Sequence, residues 1–142
     1  MSNGLTLRVI TPDSIVLDTQ VEALRVPGLD GSIGILPRHA HMVAALDVGI
    51  LYYRSSGKEA ALFLSGGFAE VRSNTVRVVC EAGEKPEEID EERARAAEAR
   101  ARARLDEGRS TPAQIDLLRA ELALRRAQAR LRARAGFARI ST

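Results

Sequence analysis

The spacing of apolar positions changes once along the chain, after Cys80. Before it, apolar residues alternate with polar ones or come in short runs between turn formers. Beyond Asp90 they recur at intervals of three and four. Leu5, Leu7 and Val9 alternate with Thr6 and Arg8, the pattern of a strand with one buried face. Residues 15–17 and 21–26 predict further strands, the second closed by Pro27 and Gly28. Residues 42–46 and 48–54 read as strands parted near Asp47, and residues 60–64, 68–72 and 75–80 continue the series. Turn chemistry separates them: Thr11, Pro12, Asp13 and Ser14; then Ser55, Ser56, Gly57 and Lys58; then Gly66 and Gly67; then Ser73 and Asn74 between two β-rich runs. Short strands joined by frequent turns predict a β sandwich or barrel.

From Asp90 onward the chain is almost entirely Ala, Arg, Glu and Leu, which are strong helix formers. Asp90 is placed to cap a helix, with Glu91 and Glu92 in the first turn, where the helix dipole favours acids. Ala94, Ala97, Ala101 and Leu105 mark one face. Residues 106–110 predict a break. Thr111 is then a cap and Pro112 a first helical residue for a second helix. Leu117, Ala120, Leu124, Ala127 and Leu131 form its stripe, and Gly136 is read as its stop. The expected architecture is α+β with two domains: an antiparallel sandwich over 1–86 and a two-helix hairpin over 87–142. The hairpin seam is rich in alanine, and each alanine buries little apolar area at roughly 25 cal/mol per Å². It is open to two readings, a permanently packed hairpin with a solvated arginine face, or an element that needs a partner or ligand and can move.

Composition narrows the function. The chain has 142 residues, 45% of them hydrophobic but only 4% aromatic, so the core must be built from Val, Ile, Leu and Ala. No apolar run approaches the roughly 20 residues that span a bilayer, and residues 1–5 do not resemble a signal peptide. Cys80 is the only cysteine, which excludes an intrachain disulfide. The net charge of +2 hides an asymmetry: residues 1–88 carry −3 and residues 89–142 carry +5. A basic tail behind a mildly acidic domain points to an acidic partner.

No catalytic constellation stands out. His39 and His41 have no acid or thiol beside them to complete a metal site, and read as turn or interface residues. Ser65, Gly66 and Gly67 lack the Gly-Lys-Ser/Thr of a phosphate loop, and no spacing supports a triad with His39. Cys80 alternates with Val76 and Val78, as a core residue does. The segment 31–40 is a tight strand and loop at a rim. Gly31 and Gly34 allow positive φ or close approach of another chain, and Pro37 must end the strand or sit at an edge.

That segment, Gly-Ser-Ile-Gly-Ile-Leu-Pro-Arg-His-Ala over residues 31–40, resembles the Gly-x-hydrophobic-Gly-Ile-x-Pro-Gly-His motif of the epsilon chain of F-type ATP synthase. The run Leu64, Ser65, Gly66, Gly67, Phe68, Ala69, Glu70, Val71 resembles a second signature of that family, and the likeness extends from about Leu5 to about Leu131. Arg38 departs from it, standing where a glycine is usual. The resemblance implies a flattened ten-stranded sandwich and a non-catalytic subunit of the proton-translocating synthase. It implies a place in the central stalk with the gamma subunit and the c-ring as partners, and a helical tail that reaches the alpha and beta subunits and restrains ATP hydrolysis. It puts contact residues at Leu29, Asp30, Gly31, Ser32 and His39. The inhibitory arginines are Arg119, Arg125, Arg126, Arg130, Arg132 and Arg134, with Arg139 beyond them. It implies attachment to the membrane only through the complex, on the cytoplasmic face of a bacterial plasma membrane or on a thylakoid. Ile89, Asp90, Arg93 and Ala94 fit a pattern associated with regulatory ATP in some bacterial members, and Glu84, Arg100, Arg126 and Arg130 match the rest of that site. No metal and no obligatory cofactor is expected. The rival class is a basic-tailed nucleic-acid-binding or scaffold protein. The tail has a single aromatic, Phe137, and no recognised nucleic-acid motif, so no nucleic acid is expected as a partner.

Overall fold

The structure is a computed structural model that describes residues 4–108 and 114–141. The chain divides into two compact units, residues 1–85 and residues 86–142.

The first unit is one ten-stranded sheet folded on itself: β1 (Leu5–Ile10), β2 (Ile15–Val21), β3 (Ala23–Gly28), β4 (Gly31–Ile35), β5 (Met42–Leu46), β6 (Gly49–Ser55), β7 (Lys58–Leu64), β8 (Gly67–Arg72), β9 (Thr75–Val79) and β10 (Gly83–Glu84). The order is β10-β7-β6-β3-β5-β8-β9-β1-β2, with β4 attached to β3 alone. Every pair is antiparallel except β1 with β9. The alternation of β1 is used as read: Leu5, Leu7 and Val9 are fully buried. They join Val26, Ile35, Leu51, Leu62, Leu64, Val71, Val76 and Val78 in an aliphatic core, with Cys80 among them.

Two hairpins close on two-residue turns with both residues left-handed, Ser56 and Gly57 at φ 52° and 73°, and Ser73 and Asn74 at 49° and 59°. Such turns match the twist of the flanking strands. Gly67 has no substitute, because a Cβ there would lie 2.0 Å from the Val79 carbonyl oxygen.

The strand expected over 21–26 is divided. Val21 ends β2 opposite Leu5, and Ala23 begins β3 opposite Arg54. The chain changes partners at Glu22, whose N–H donates to the Arg54 carbonyl at 2.8 Å and whose Oε1 accepts the Gly57 N–H at 2.9 Å. Pro27 and Gly28 do not close β3 but belong to it. Pro27 has no N–H to lose, and its carbonyl accepts the Asp47 N–H at 2.8 Å.

The second unit opens with a 3-10 turn, Pro86–Glu88, followed by α1 (Glu91–Gly108) and α2 (Gln114–Ser141). Asp90 caps α1, its Oδ1 accepting the Arg93 N–H at 3.1 Å. The helices are antiparallel: Leu117, early in α2, lies against Gly108 at the end of α1. Near the other end of α2, Arg134 Nη1 donates to the Pro86 carbonyl at 3.2 Å. The seam is made of small residues, with Ala94, Ala101, Ala120 and Ala127 buried and Leu105, Leu117, Leu124 and Leu131 only half-buried. Asp106, Glu107 and Gly108 extend α1 instead of breaking it. Thr111 and Pro112 lie outside the described residues. Gly136 does not stop α2, which continues to Ser141. One interior glycine costs about 1 kcal/mol relative to alanine, and strong helix formers on both sides outweigh that.

Candidate binding surfaces

The sheet presents two exposed features. The first is the β3–β4 hairpin and the loop after it. Leu29 and Asp30 form the tip, Leu29 being 61% exposed although its N–H donates to the Ala45 carbonyl at 3.2 Å. Gly31 resumes the strand at φ 131°. Ser32, also exposed, pairs with Pro27. Beyond β4, Arg38 sits at φ 66°, so the position where glycine is usual is left-handed here as well. That conformation costs a side-chain-bearing residue about 1–2 kcal/mol. It is offset by the Arg38 N–H donating to Asn74 Oδ1 at 2.7 Å. His39 closes the turn through its N–H to the Leu36 carbonyl, and its Nδ1 lies 2.7 Å from the Ala40 carbonyl oxygen, a contact that requires the Nδ1–H tautomer. Of the expected contact residues, Leu29, Asp30, Gly31 and Ser32 occupy the β3–β4 hairpin, and His39 is on the next loop.

The second feature could not be read from local sequence. The register aligns Ala45 with Phe68, Phe68 with Val79, Val79 with Ile10, and Ile10 with Ile15. This makes an apolar row across β5, β8, β9, β1 and β2 on the face away from the core. Phe68 is 45% exposed, Ile15 62%, and Val43, one step along β5, 70%. The next row, Val43, Glu70, Arg77, Arg8 and Asp18, is mostly charged, with Arg8 and Asp18 paired at 3.4 Å. Five residues from four stretches of sequence meet only through strand order. The available signal was Phe68 itself, an aromatic out of phase with the inward Ala69 and Val71.

The helical unit holds most of the residues assigned to regulatory ATP. Ile89 and Ala94 are buried, Asp90 is engaged as the cap, and Arg93 and Arg100 are exposed on α1. Arg126 and Arg130 are half-buried one turn apart on α2. Glu84 belongs to the other unit, in β10 opposite Phe63. Of the tail arginines, Arg119, Arg125 and Arg132 are exposed, while Arg134 is half-buried and bonded to Pro86. The side chain of Arg139 lies outside the described part. Along α1, Arg95 pairs with Glu91 at 2.6 Å and Arg102 with Glu98 at 3.5 Å.

Among the described residues there is no cluster of three or more His, Cys, Asp or Glu able to hold a metal, and no helix long and apolar enough to cross a membrane. The Cys80 thiol is pushed up to about 11, first by burial and then by the Glu81 carboxylate, which suits a core residue and not a nucleophile.

Comparison with known proteins identifies the fold and the family. Residues 4–86 match the beta-sandwich domain of the ATP synthase delta/epsilon chain, and residues 87–134 match its long alpha-helix domain. The ATP synthase epsilon chain of Nitratidesulfovibrio vulgaris (strain DP4) is 45% identical over 134 residues, covering 94% of this chain and 98% of its own. That of Carboxydothermus hydrogenoformans is 50% identical over 112 residues, covering 79% and 82%. A chain in the Euglena gracilis mitochondrial ATP synthase (OSCP/F1/c-ring in rotational state 1) superposes with a TM-score of 0.77 at 27% identity, covering 91% of this chain and 80% of that one. A chain of the central stalk/c-ring of the Tetrahymena thermophila mitochondrial synthase shares the fold, with a TM-score of 0.57 at 15% identity. The chain belongs to the delta/epsilon family of ATP synthase, as an epsilon-type subunit that is a structural and not a catalytic part of that complex.

Proposed function

We propose that the chain is a rotor component of the central stalk. Its sandwich binds a gamma subunit and the c-ring, so that proton flow is coupled to rotation, and its hairpin restrains ATP hydrolysis. The observation that carries the stalk contact is the apolar row from Ala45 to Ile15. A sheet whose outer face is half solvated has no internal reason to expose Phe68, Ile15 and Val43 together, and grouped exposed apolar residues mark a contact surface. The hairpin tip at Leu29 and Asp30 is the natural c-ring contact, an exposed apolar residue on a backbone fixed by a hydrogen bond. Attachment to the cytoplasmic face of a bacterial plasma membrane, or to a thylakoid, follows from the complex, since the chain shows no spanning helix of its own among the described residues.

Regulation is assigned to the second unit. Its +5 tail suits an acidic segment on the alpha and beta subunits, because guanidinium keeps its charge at any physiological pH. The same crowding of arginines makes ATP a suitable ligand for the folded hairpin, with Arg126 and Arg130 one turn apart for phosphate and Asp90, Arg93 and Arg100 on the partner helix. A ligand bound only to the folded form stabilises it by about 2.7 kcal/mol at a hundredfold excess over Kd.

The test of the stalk contact is co-purification. Phe68→Asp should leave the melting temperature of the isolated chain within a few degrees, since the ring is half exposed. It should lower the amount of gamma subunit and c-ring recovered with the chain from native membranes by at least tenfold. Unchanged recovery refutes the assignment of that face. Calorimetry with millimolar ATP tests the ligand: no heat and no thermal shift removes it.

A further inference from the structure

The two ends of the helical unit are held in different ways. The chain passes from α1 to α2 between Gly108 and Gln114, and Leu117 lies against Gly108 there. Contacts near that connection are kept close by the chain itself. Arg134 lies about 25 Å further along α2 than Leu117, at 1.5 Å per residue. At that far end no short connection joins the elements: Arg134 and Pro86 are 48 residues apart in sequence. The contacts made there decide whether the hairpin is shut.

At that end α2 packs against the 3-10 turn, and Arg134 Nη1 donates to the Pro86 carbonyl at 3.2 Å. The acceptor is held ready for it. Pro86 is buried at the start of the turn, and the same carbonyl takes the Ile89 N–H at 3.2 Å, which leaves its second lone pair for the guanidinium. Ile89 is itself buried, next to the Asp90 cap. The donor is half-buried, so water competes with the bond less than it would at the surface. A hydrogen bond to a charged group moves an equilibrium roughly tenfold to a hundredfold. The seam between the helices is mostly alanine and buries little apolar area to set beside that.

We infer that Arg134 is the clasp of the hairpin: its bond to Pro86 holds α2 shut against the 3-10 turn and keeps the tail withdrawn. The consequence for regulation rests on the proposed reading of the tail as the restraint on ATP hydrolysis, and it gives one arginine the opposite sign to the others. Arg119, Arg125 and Arg132 are exposed and remain available to an acidic segment. Arg134 is engaged with Pro86 in the folded form, so its loss frees the tail to inhibit. The clasp uses neither Arg126 nor Arg130, so it acts without nucleotide.

The experiment is hydrogen exchange, read by mass spectrometry, on the full-length chain without nucleotide, with Arg134→Met set against Arg132→Met. Methionine matches arginine in helix propensity, and each variant removes one positive charge, so the bond to Pro86 separates them. Arg134→Met should speed exchange over residues 86–94 and 120–131 at least tenfold and leave the sandwich unchanged. Arg132→Met should leave both segments within twofold. Exchange untouched by Arg134→Met, or raised as much by Arg132→Met, overturns the inference. In the assembled synthase at low ATP, Arg134→Met should hydrolyse several-fold more slowly than the unaltered chain. Where a chain ending at residue 115 speeds hydrolysis, a rate for Arg134→Met at or above that of the unaltered chain also overturns it. If that shortened chain changes nothing while Arg134→Met still speeds exchange, the clasp stands and the inhibitory reading falls.

Discussion

The two units of this chain are held together by different amounts of buried carbon. In the sandwich, Leu5, Leu7, Ile35, Leu51, Leu62, Phe63 and Leu64 are all fully buried. In the helical unit, apart from Pro86, the buried residues among those described are Ile89 and six alanines, Ala94, Ala101, Ala120, Ala127, Ala129 and Ala133. A buried leucine contributes roughly 1.5–3 kcal/mol relative to leaving it exposed, whereas an alanine removes a single methyl from water. The sandwich is accordingly a rigid fixture. On the proposed function, the hairpin's folded form is close enough to balance for a ligand or a partner to decide it. Specific packing holds the first, and on the same proposal charge controls the second.

Breaking the sandwich should have the largest effect. Leu62→Ala, in the middle of β7, should lower the unfolding free energy by about 2–5 kcal/mol in urea melts, while far-ultraviolet dichroism at 222 nm still reports the helices until the main transition. A cost under 1 kcal/mol would mean that the core is not packed as described.

Alkaline pH should come next, and again through the sandwich. The Cys80 thiol titrates near 11 in the folded protein, above its ordinary range. The unfolded chain therefore loses this proton first. Its contribution to stability is intact below about pH 9 and is lost as pH rises through about 11, at up to about 1.4 kcal/mol per pH unit. Urea melts of the protein and of Cys80→Ala should diverge across that window and run parallel below it. Parallel curves throughout would place the thiol in water.

The smallest effect belongs to the hairpin. Asp90→Ala removes the oxygen that accepts the Arg93 N–H and should cost about 1 kcal/mol, read as a lower helical signal with the sandwich transition unmoved. A shift of the sandwich transition by the same amount would show that the two units melt as one.

Legibility followed the range of the interactions. Turns decided by two adjacent residues, such as Ser56 with Gly57, were readable, and so were the alternation of β1 and the cap at Asp90. The division at Glu22 was not, because it depends on a change of partner from β1 to β6 across distant sequence. Gly136 reads as a stop by local propensity alone, but the helix formers on both sides carry α2 past it to Ser141. The Leu29 tip as a contact rests on motif resemblance; the strands around it show only that it is an exposed turn between β3 and β4. The apolar row did not come from the sequence at all, because Ile10, Phe68 and Val79 become neighbours only once β1, β8 and β9 are in order.

ATP hydrolysis by the assembled synthase tests directly the proposed division between a fixed sandwich and an adjustable, inhibitory hairpin. A chain ending at residue 115 keeps the sandwich and α1 but loses the arginines of α2. It should assemble as the full chain does and hydrolyse ATP several-fold faster at low nucleotide concentration, with little change in synthesis. Equal hydrolysis by the two complexes, with the truncated chain present in full stoichiometry, would contradict it.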